Sequence, residues 1–226
     1  MKPWLDYTPP TFRNNLMEDD TDELKKKLTT KRKPHKLPWQ KGLSTGSTLL
    51  NLACTGRPNV GFLPGHFYWI IGDSQSGKTW LSMNCLAEAA INPVYKNHRF
   101  IYDNAEDGAL MDIAKFFGND VEQRLTPPAM DDDTPLYSTT IQEFYYNLDD
   151  AFEEDAPFIY ILDSMDALDT EEDEVKFEEL KKAHQKGKDS SGSYGTAKAK
   201  ANSSGLRRAC ANLSRTDSIL IIVSQT

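Results

Sequence analysis

Residues Gly72 to Thr79 read GDSQSGKT and fit the pattern G-x-x-x-x-G-K-[ST] at every fixed position. No other string constrains the fold as tightly, because this one works only where a strand delivers it and a helix receives it. Upstream, His66 to Ile71 is an apolar, aromatic and β-branched run with the composition of a buried parallel strand. Downstream, Trp80 to Ile91 is rich in Leu, Ala, Met and Glu and predicts a helix. In that order Gly72 and Gly77 let the backbone turn with its N–H groups inward. Together with Asp73, Ser74, Gln75 and Ser76 they form a concave anion site at the positive end of the helix dipole. Lys78 can then reach β- and γ-phosphates, and the Thr79 hydroxyl can hold Mg²⁺. The plainer alternative is a glycine turn that only joins a strand to a helix.

A chain of 226 residues suffices for one α/β domain with a proper core and some tail. Its net charge of −8 excludes a surface coated in cations, so any nucleic-acid contact needs a local patch. Cys54, Cys85 and Cys210 are scattered, with no C-x-x-C pair, and the four histidines are dispersed. Neither a disulfide framework nor a side-chain metal cluster is expected, so Mg²⁺ would arrive with the nucleotide. No apolar run reaches the length of a membrane span and MKPWLDYTPP has no signal-like core, which makes a reducing cytoplasm the expected location and leaves no membrane partner.

Residues 1–37 hold prolines, an acidic cluster and a basic run, and are expected to form an arm, partly disordered or used for oligomerisation. Residues 38–226 carry the core. Leu43 to Ser47 followed by Thr48 to Ala53 predicts a capped helical turn. Arg99 to Asp103 predicts a second strand and Ala109 to Phe117 a helix ended by Gly118. Pro127, Pro128 and Asp131 to Asp133 predict a loop, with a short strand over Leu136 to Thr139. Phe144, Tyr145, Leu148 and Phe152 lie on one face of a helix spanning Ile141 to Phe152. Asp169 to Gly195 is charged, then rich in Gly and Ser, and is expected to be a mobile excursion with nothing to bury. A helix over Thr196 to Ser214 and a buried strand over Ser218 to Val223 complete the chain.

The second decisive element is Ala156 to Asp163, a continuous apolar strand that delivers an aspartate at its C-terminal end. Ligands of parallel sheets bind beyond that end, so Asp163 falls where Mg²⁺ and an attacking water would lie. Glu106 stands just beyond the C-terminal end of the Arg99 to Asp103 strand, and Asp103 is a rival acid at that same end.

The order of these parts resembles the RecA family of recombination ATPases, including phage UvsX-type members, over about residues 43–226. The STGS turn, the GDSQSGKT loop, a strand followed by Glu106, the ILDS strand and the IIVSQ strand carry the resemblance. It implies a RecA-like P-loop NTPase core of class α/β, a mostly parallel β-sheet flanked by helices, with an N-terminal arm. It also implies catalytic Glu106, Lys78 and Gln225: a general base, a phosphate ligand and a sensor of the γ-phosphate. Thr79 and Asp163 would hold Mg²⁺, and Gly72 to Thr79 would cradle ATP. Such roles suit phosphoryl transfer, which needs positioned charge and an oriented water.

The activity implied is ATP-dependent recombination on single-stranded DNA, with hydrolysis at the interfaces of a homo-oligomeric filament or ring. A DnaB-like helicase motor and a KaiC-like nucleotide-gated binding module use the same core. Where the family sets an aspartate and a tyrosine against adenine, this sequence has Leu110 and Ile113. The excursion after Asp163 resembles the family's first DNA-binding loop, flanked here by Lys181, Lys182, Lys186, Lys188, Lys198, Lys200, Arg207 and Arg208. The sequence ends at Thr226, where the family's second DNA-binding loop would begin, so a fragment or a shortened relative is expected.

Overall fold

The computed structural model describes residues 37–106, 111–126, 129–131, 134–154, 156–175, 177, 181 and 196–226. By internal contacts the chain divides into Met1–Leu37 and Pro38–Thr226. The arm expected over residues 1–37 lies outside the described residues except for Leu37, as do Leu110, Lys182, Lys186 and Lys188.

Within Pro38–Thr226 the central element is a five-stranded sheet. Its strands are β1 (His66–Gly72), β2 (Arg99–Asp103), β3 (Leu125–Thr126), β6 (Phe158–Leu162) and β7 (Ile219–Gln225), ordered β1-β7-β6-β2-β3. Every pairing is parallel, so all five C-terminal ends share one edge. β4 (Ala129–Asp131) and β5 (Thr134–Leu136) form a separate antiparallel ribbon.

Among the described residues the α-helices with defined bounds include α1 (Thr48–Thr55), α2 (Lys78–Ile91), α3 (Ile113–Phe117), α4 (Asn119–Arg124), α5 (Ile141–Glu153) and α6 (Thr196–Thr216). The strands sort their side chains between two cores by their period of two. Phe158, Tyr160, Leu162, Leu220 and Ile222 pack with α5 and α6. Ile159, Ile161, Ile219 and Ile221 pack with α2 and with Val121 of α4. A sheet covered on both faces needs apolar side chains at every position, which is why β6 is buried from end to end. The chain is therefore α/β, with an all-parallel five-stranded sheet flanked by helices. Among the described residues no helix is long and apolar enough to cross a membrane.

Helix α5 begins on a capping box: Thr140 Oγ1 accepts from Glu143 N at 3.1 Å and Glu143 returns to Thr140 N at 3.2 Å. Burial acts to raise the Glu143 carboxyl, but hydrogen bonds from Thr139 and Thr140 outweigh it and hold the group below its ordinary value. Against α5 lies Gly205 of α6, where a Cβ would stand 2.3 Å from ring atoms of Tyr145. That ring is buried and its hydroxyl donates to Asn202 O at 3.2 Å, so making room for a Cβ would cost this bond or push the two helices apart. Alanine is normally the better helix former, yet Gly205→Ala is expected to lower stability by about 1–3 kcal/mol through overpacking. Urea denaturation measures this, and an unchanged or raised midpoint would show that the two helices can part.

The structure corrects several expectations. Of the helix expected over Ala109 to Phe117, Ala109 and Leu110 lie outside the described residues, Met111 and Asp112 are not helical, and the helix runs from Ile113, where Asp112 caps it by accepting from Lys115 N at 3.0 Å. The strand expected over Leu136 to Thr139 is displaced to Thr134–Leu136, paired with Ala129–Asp131 where a loop is expected. Ser138 cannot extend it, since its N–H and hydroxyl both go to the Asp103 carboxylate, at 2.9 and 2.6 Å. The excursion after Asp163 does bury side chains at its start. Of Asp169 to Gly195, residues 176, 178–180 and 182–195 lie outside the described residues; Thr170 and Asp173 are inside, residues 171–175 are helical, and Thr170 Oγ1 accepts from Asp173 N at 3.1 Å. The last strand begins at Ile219 rather than Ser218 and runs on through Gln225, which thus lies on the sheet rather than beyond it.

Candidate active site

At the shared C-terminal edge of the sheet lies a cavity of about 380 Å³. Its lining includes Ser74 to Trp80, Glu106, Met111, Asp163 and Gln225. Four strands deliver these residues. β1 ends at Gly72 and passes directly into the glycine loop, and Gly72 pairs with Gln225 of β7. Backbone bonds beyond the strand ends tie the other two together: Asp163 N donates to Asp103 O at 2.9 Å, and Glu106 N donates to Asp163 O at 3.1 Å. The segments after β2 and β6 are held edge to edge in this way, which places Glu106 beside Asp163.

The loop itself is shaped by left-handed backbone at Gln75 (φ 60°) and Gly77 (φ 86°). Gly77 precedes α2, and among the described residues no side chain caps that helix end. The leading amides of α2 are therefore open to an anion, at the positive end of the dipole. At Gly72 a Cβ would sit 3.0 Å from Ser76 Oγ, so a side chain here would make that hydroxyl give way by a few tenths of an ångström. Lys78 Nζ donates to Gly72 O at 3.0 Å and to Asp73 O at 2.8 Å, which holds the ammonium over the loop. Gly72 and Asp73 thus serve the site through their carbonyls, while Ser74 to Thr79 face the cavity.

Asp163 is almost fully buried at the end of β6. Burial raises its carboxyl above the ordinary value, and proximity to Glu106 adds to the rise. Hydrogen bonds from the Thr79 and Tyr102 hydroxyls, together with the Lys78 charge, pull the other way. The Tyr102 contact is 3.2 Å. Thr79 and Asp163 thus offer adjacent oxygen donors. Such a pair suits a hard divalent cation that keeps several waters and takes its remaining ligands from phosphate.

Glu106 is exposed to the cavity. Its Oε1 accepts from Ser164 Oγ and lies 3.4 Å from Gln225 Nε2. Gln225 N in turn donates to Asp166 Oδ2 at 2.6 Å. Asp103, the rival acid, is elsewhere: it is wholly buried and its carboxylate accepts from Ser138 and from the Tyr160 hydroxyl, the latter at 2.8 Å. Burial raises its carboxyl, outweighing the bonds from Ser138 and Tyr160, so the group is built into the core. Period-two alternation in Arg99 to Asp103 carries this signal, since Ile101 and Asp103 share the face that packs on Tyr160.

The residues expected at the site are Gly72 to Thr79, Glu106, Asp163 and Gln225, and the structure brings them together. Sequence reasoning missed Tyr102, Ser164 and Asp166, which hold Asp163, Glu106 and Gln225 respectively. Ser164 and Asp166 stand next to the ILDS strand end, but nothing in their type marks them. Of the cations expected beside the excursion, Lys198 pairs with Asp169 at 3.2 Å and donates to Leu168 O at 2.6 Å. Arg208 pairs with Asp149, and Arg207 bonds back to Ser203 O at 3.1 Å. Ile113, expected near a base, heads α3 and is half-buried. Comparison of the chain with models of known protein families and with curated proteins gave no match.

Proposed function

We propose that this chain is an ATP-dependent, RecA-like P-loop ATPase that acts on single-stranded DNA in recombination, with Mg-ATP hydrolysed at the interfaces of a homo-oligomer. The observation that carries the reading is the convergence of Lys78, Thr79, Asp163, Glu106 and Gln225 on one cavity. The parallel sheet brings the four segments to one edge, and what supports the reading is that all five residues they bring there are of types phosphoryl transfer uses.

In this reading the open amides of α2 and the loop bind the phosphates, and Lys78 shifts from its carbonyl partners to the β- and γ-oxygens. Mg²⁺, when bound, neutralises charge on the transferred group. Thr79 and Asp163 hold it through their oxygens. Glu106 takes a proton from water as the water oxygen bonds to phosphorus, while the bond from the γ-phosphorus to the bridging oxygen breaks and ADP and phosphate leave. Gln225, one hydrogen bond from Glu106 and on the strand next to β1, is placed to report which state the site is in.

Action on DNA rests on the order of parts shared with the RecA family, and the test addresses it separately. The steady-state ATPase rate is measured on the full chain with and without single-stranded DNA, at two salt concentrations. A rate that rises with DNA and loses that rise at high salt is expected, since phosphate contacts are salt-sensitive. ATP turnover indifferent to DNA would retain the hydrolase and remove the recombinase.

A further inference from the structure

The cavity has a side that the phosphate chemistry does not use. Trp80 follows Thr79 in the first turn of α2 and lines the same cavity, with Met111 beside it. Its side chain is 42% exposed, although it is the largest type available and belongs to a helix whose inner face packs on the sheet. With the half-exposed Phe116 beside it, Trp80 makes an apolar patch at the rim of a polar cavity.

What surrounds Trp80 fixes its ring without covering it. Phe116 meets it edge-on at 5.2 Å and 67°, and Phe117 lies 4.8 Å away at 53°. Phe117 is buried and Phe116 is half exposed, with Lys115 Nζ 5.4 Å from the Phe116 ring centre. The short helix that presents both rings is pinned by Asp112 at its start and by Gly118, at φ 101°, at its end. Trp80 is thus braced from behind by two rings while its remaining surface borders the cavity. A rigid aromatic surface of this kind, held next to a phosphate site, suits a flat π-system attached to those phosphates.

We infer that Trp80, braced by Phe116 and Phe117, is the stacking platform for the base of the nucleoside triphosphate bound by the glycine loop. This rests on the reading of the loop as a triphosphate site. Stacking is indifferent to which edge groups a base carries, so the platform supplies affinity for a nucleoside over a bare polyphosphate and little choice among bases.

The test compares Mg-ATP with Mg-tripolyphosphate, which has the phosphates and lacks the base, by calorimetry on the wild type, Trp80→Ala and Trp80→Phe. The wild type is expected to bind ATP more tightly than tripolyphosphate. Trp80→Ala should shrink that gap by about tenfold or more while leaving tripolyphosphate affinity unchanged, and Trp80→Phe should keep most of it. Fluorescence gives an answer that does not depend on the alanine variant folding. ATP should quench the wild-type tryptophan signal, tripolyphosphate should not, and Trp80→Phe should lose the ATP-specific change while Trp4, Trp39 and Trp69 remain.

Loss of both affinities together, or an unchanged gap, would overturn the inference while leaving the triphosphate site in place. An unchanged gap accompanied by a lower oligomer mass would reassign the aromatic face to subunit packing. Failure of the wild type to bind either ligand would remove the triphosphate site, and this inference with it.

Discussion

Replacing Lys78 by alanine is expected to raise the dissociation constant for Mg-ATP by at least about a hundredfold. Hydrogen bonds to charged groups contribute about 1.5–3 kcal/mol each, and an ammonium that bridges two phosphates makes more than one of them. The side chain already has its nitrogen over the loop, 3.0 and 2.8 Å from two loop carbonyls, so little reorganisation opposes the transfer to phosphate. The loop itself is shaped by Gln75 and Gly77 and by the end of β1, which the substitution leaves intact. Isothermal titration reads the effect directly, with the urea midpoint as a control for folding. Affinity unchanged from the wild type would mean that Lys78 only ties the loop together.

The second large effect concerns Glu106. Glutamine at this position keeps the size and an oxygen that can accept from Ser164 Oγ, but it cannot take a proton from water. The expected result is a fall in kcat of about 10²–10⁴-fold with KM changed by no more than a few-fold, because the group acts in the transition state and not in binding. Equal turnover in the variant would mean that Glu106 is not the base, and little turnover in the wild type with assembly intact in the variant would favour a nucleotide-gated binding module. Neither result would transfer the role to Asp103, whose carboxylate is buried among Ser138 and Tyr160 and has no route to the cavity.

Those elements were legible in the sequence whose residues report their surroundings directly. β2 falls on the expected residues, and β6 falls on the apolar run before Asp163, since strands buried on both faces must be apolar throughout. The helix after the glycine loop begins two residues earlier than its composition suggests, at Lys78, because the left-handed turn at Gly77 closes the loop and the chain enters the helix directly after it. The face of α5 follows from its aromatic spacing, and all four marked side chains, Phe144, Tyr145, Leu148 and Phe152, are buried.

The segment from Leu125 to Thr139 was not legible. β3 is two residues long and pairs through its backbone with Phe100 and Ile101, which leaves no alternation to read. The position of β5 depends on Ser138 being claimed by Asp103, a contact between residues 35 apart. At the site, residue types pointed to Lys78, Thr79 and Asp163. The side chains that orient them did not stand out, because Tyr102, Ser164 and Asp166 are ordinary residues made relevant by the strand order. β7 lies between β1 and β6 in that order, and only this places Gln225 within reach of Glu106. The same holds for Trp80, which reads as one more apolar helix residue until the rings of Phe116 and Phe117 are seen behind it.

The central claim is that one nucleoside triphosphate binds between the α2 amides, Lys78 and the Thr79–Asp163 oxygen pair. Calorimetric titration of the wild-type chain with ATPγS tests it most directly, in the presence of Mg²⁺ and again in EDTA. One binding event per chain is expected, with a dissociation constant of about 1 μM to 1 mM, the range usual for enzyme substrates, and clearly weaker binding once Mg²⁺ is removed. No heat of binding at millimolar nucleotide, or affinity indifferent to Mg²⁺, would contradict it.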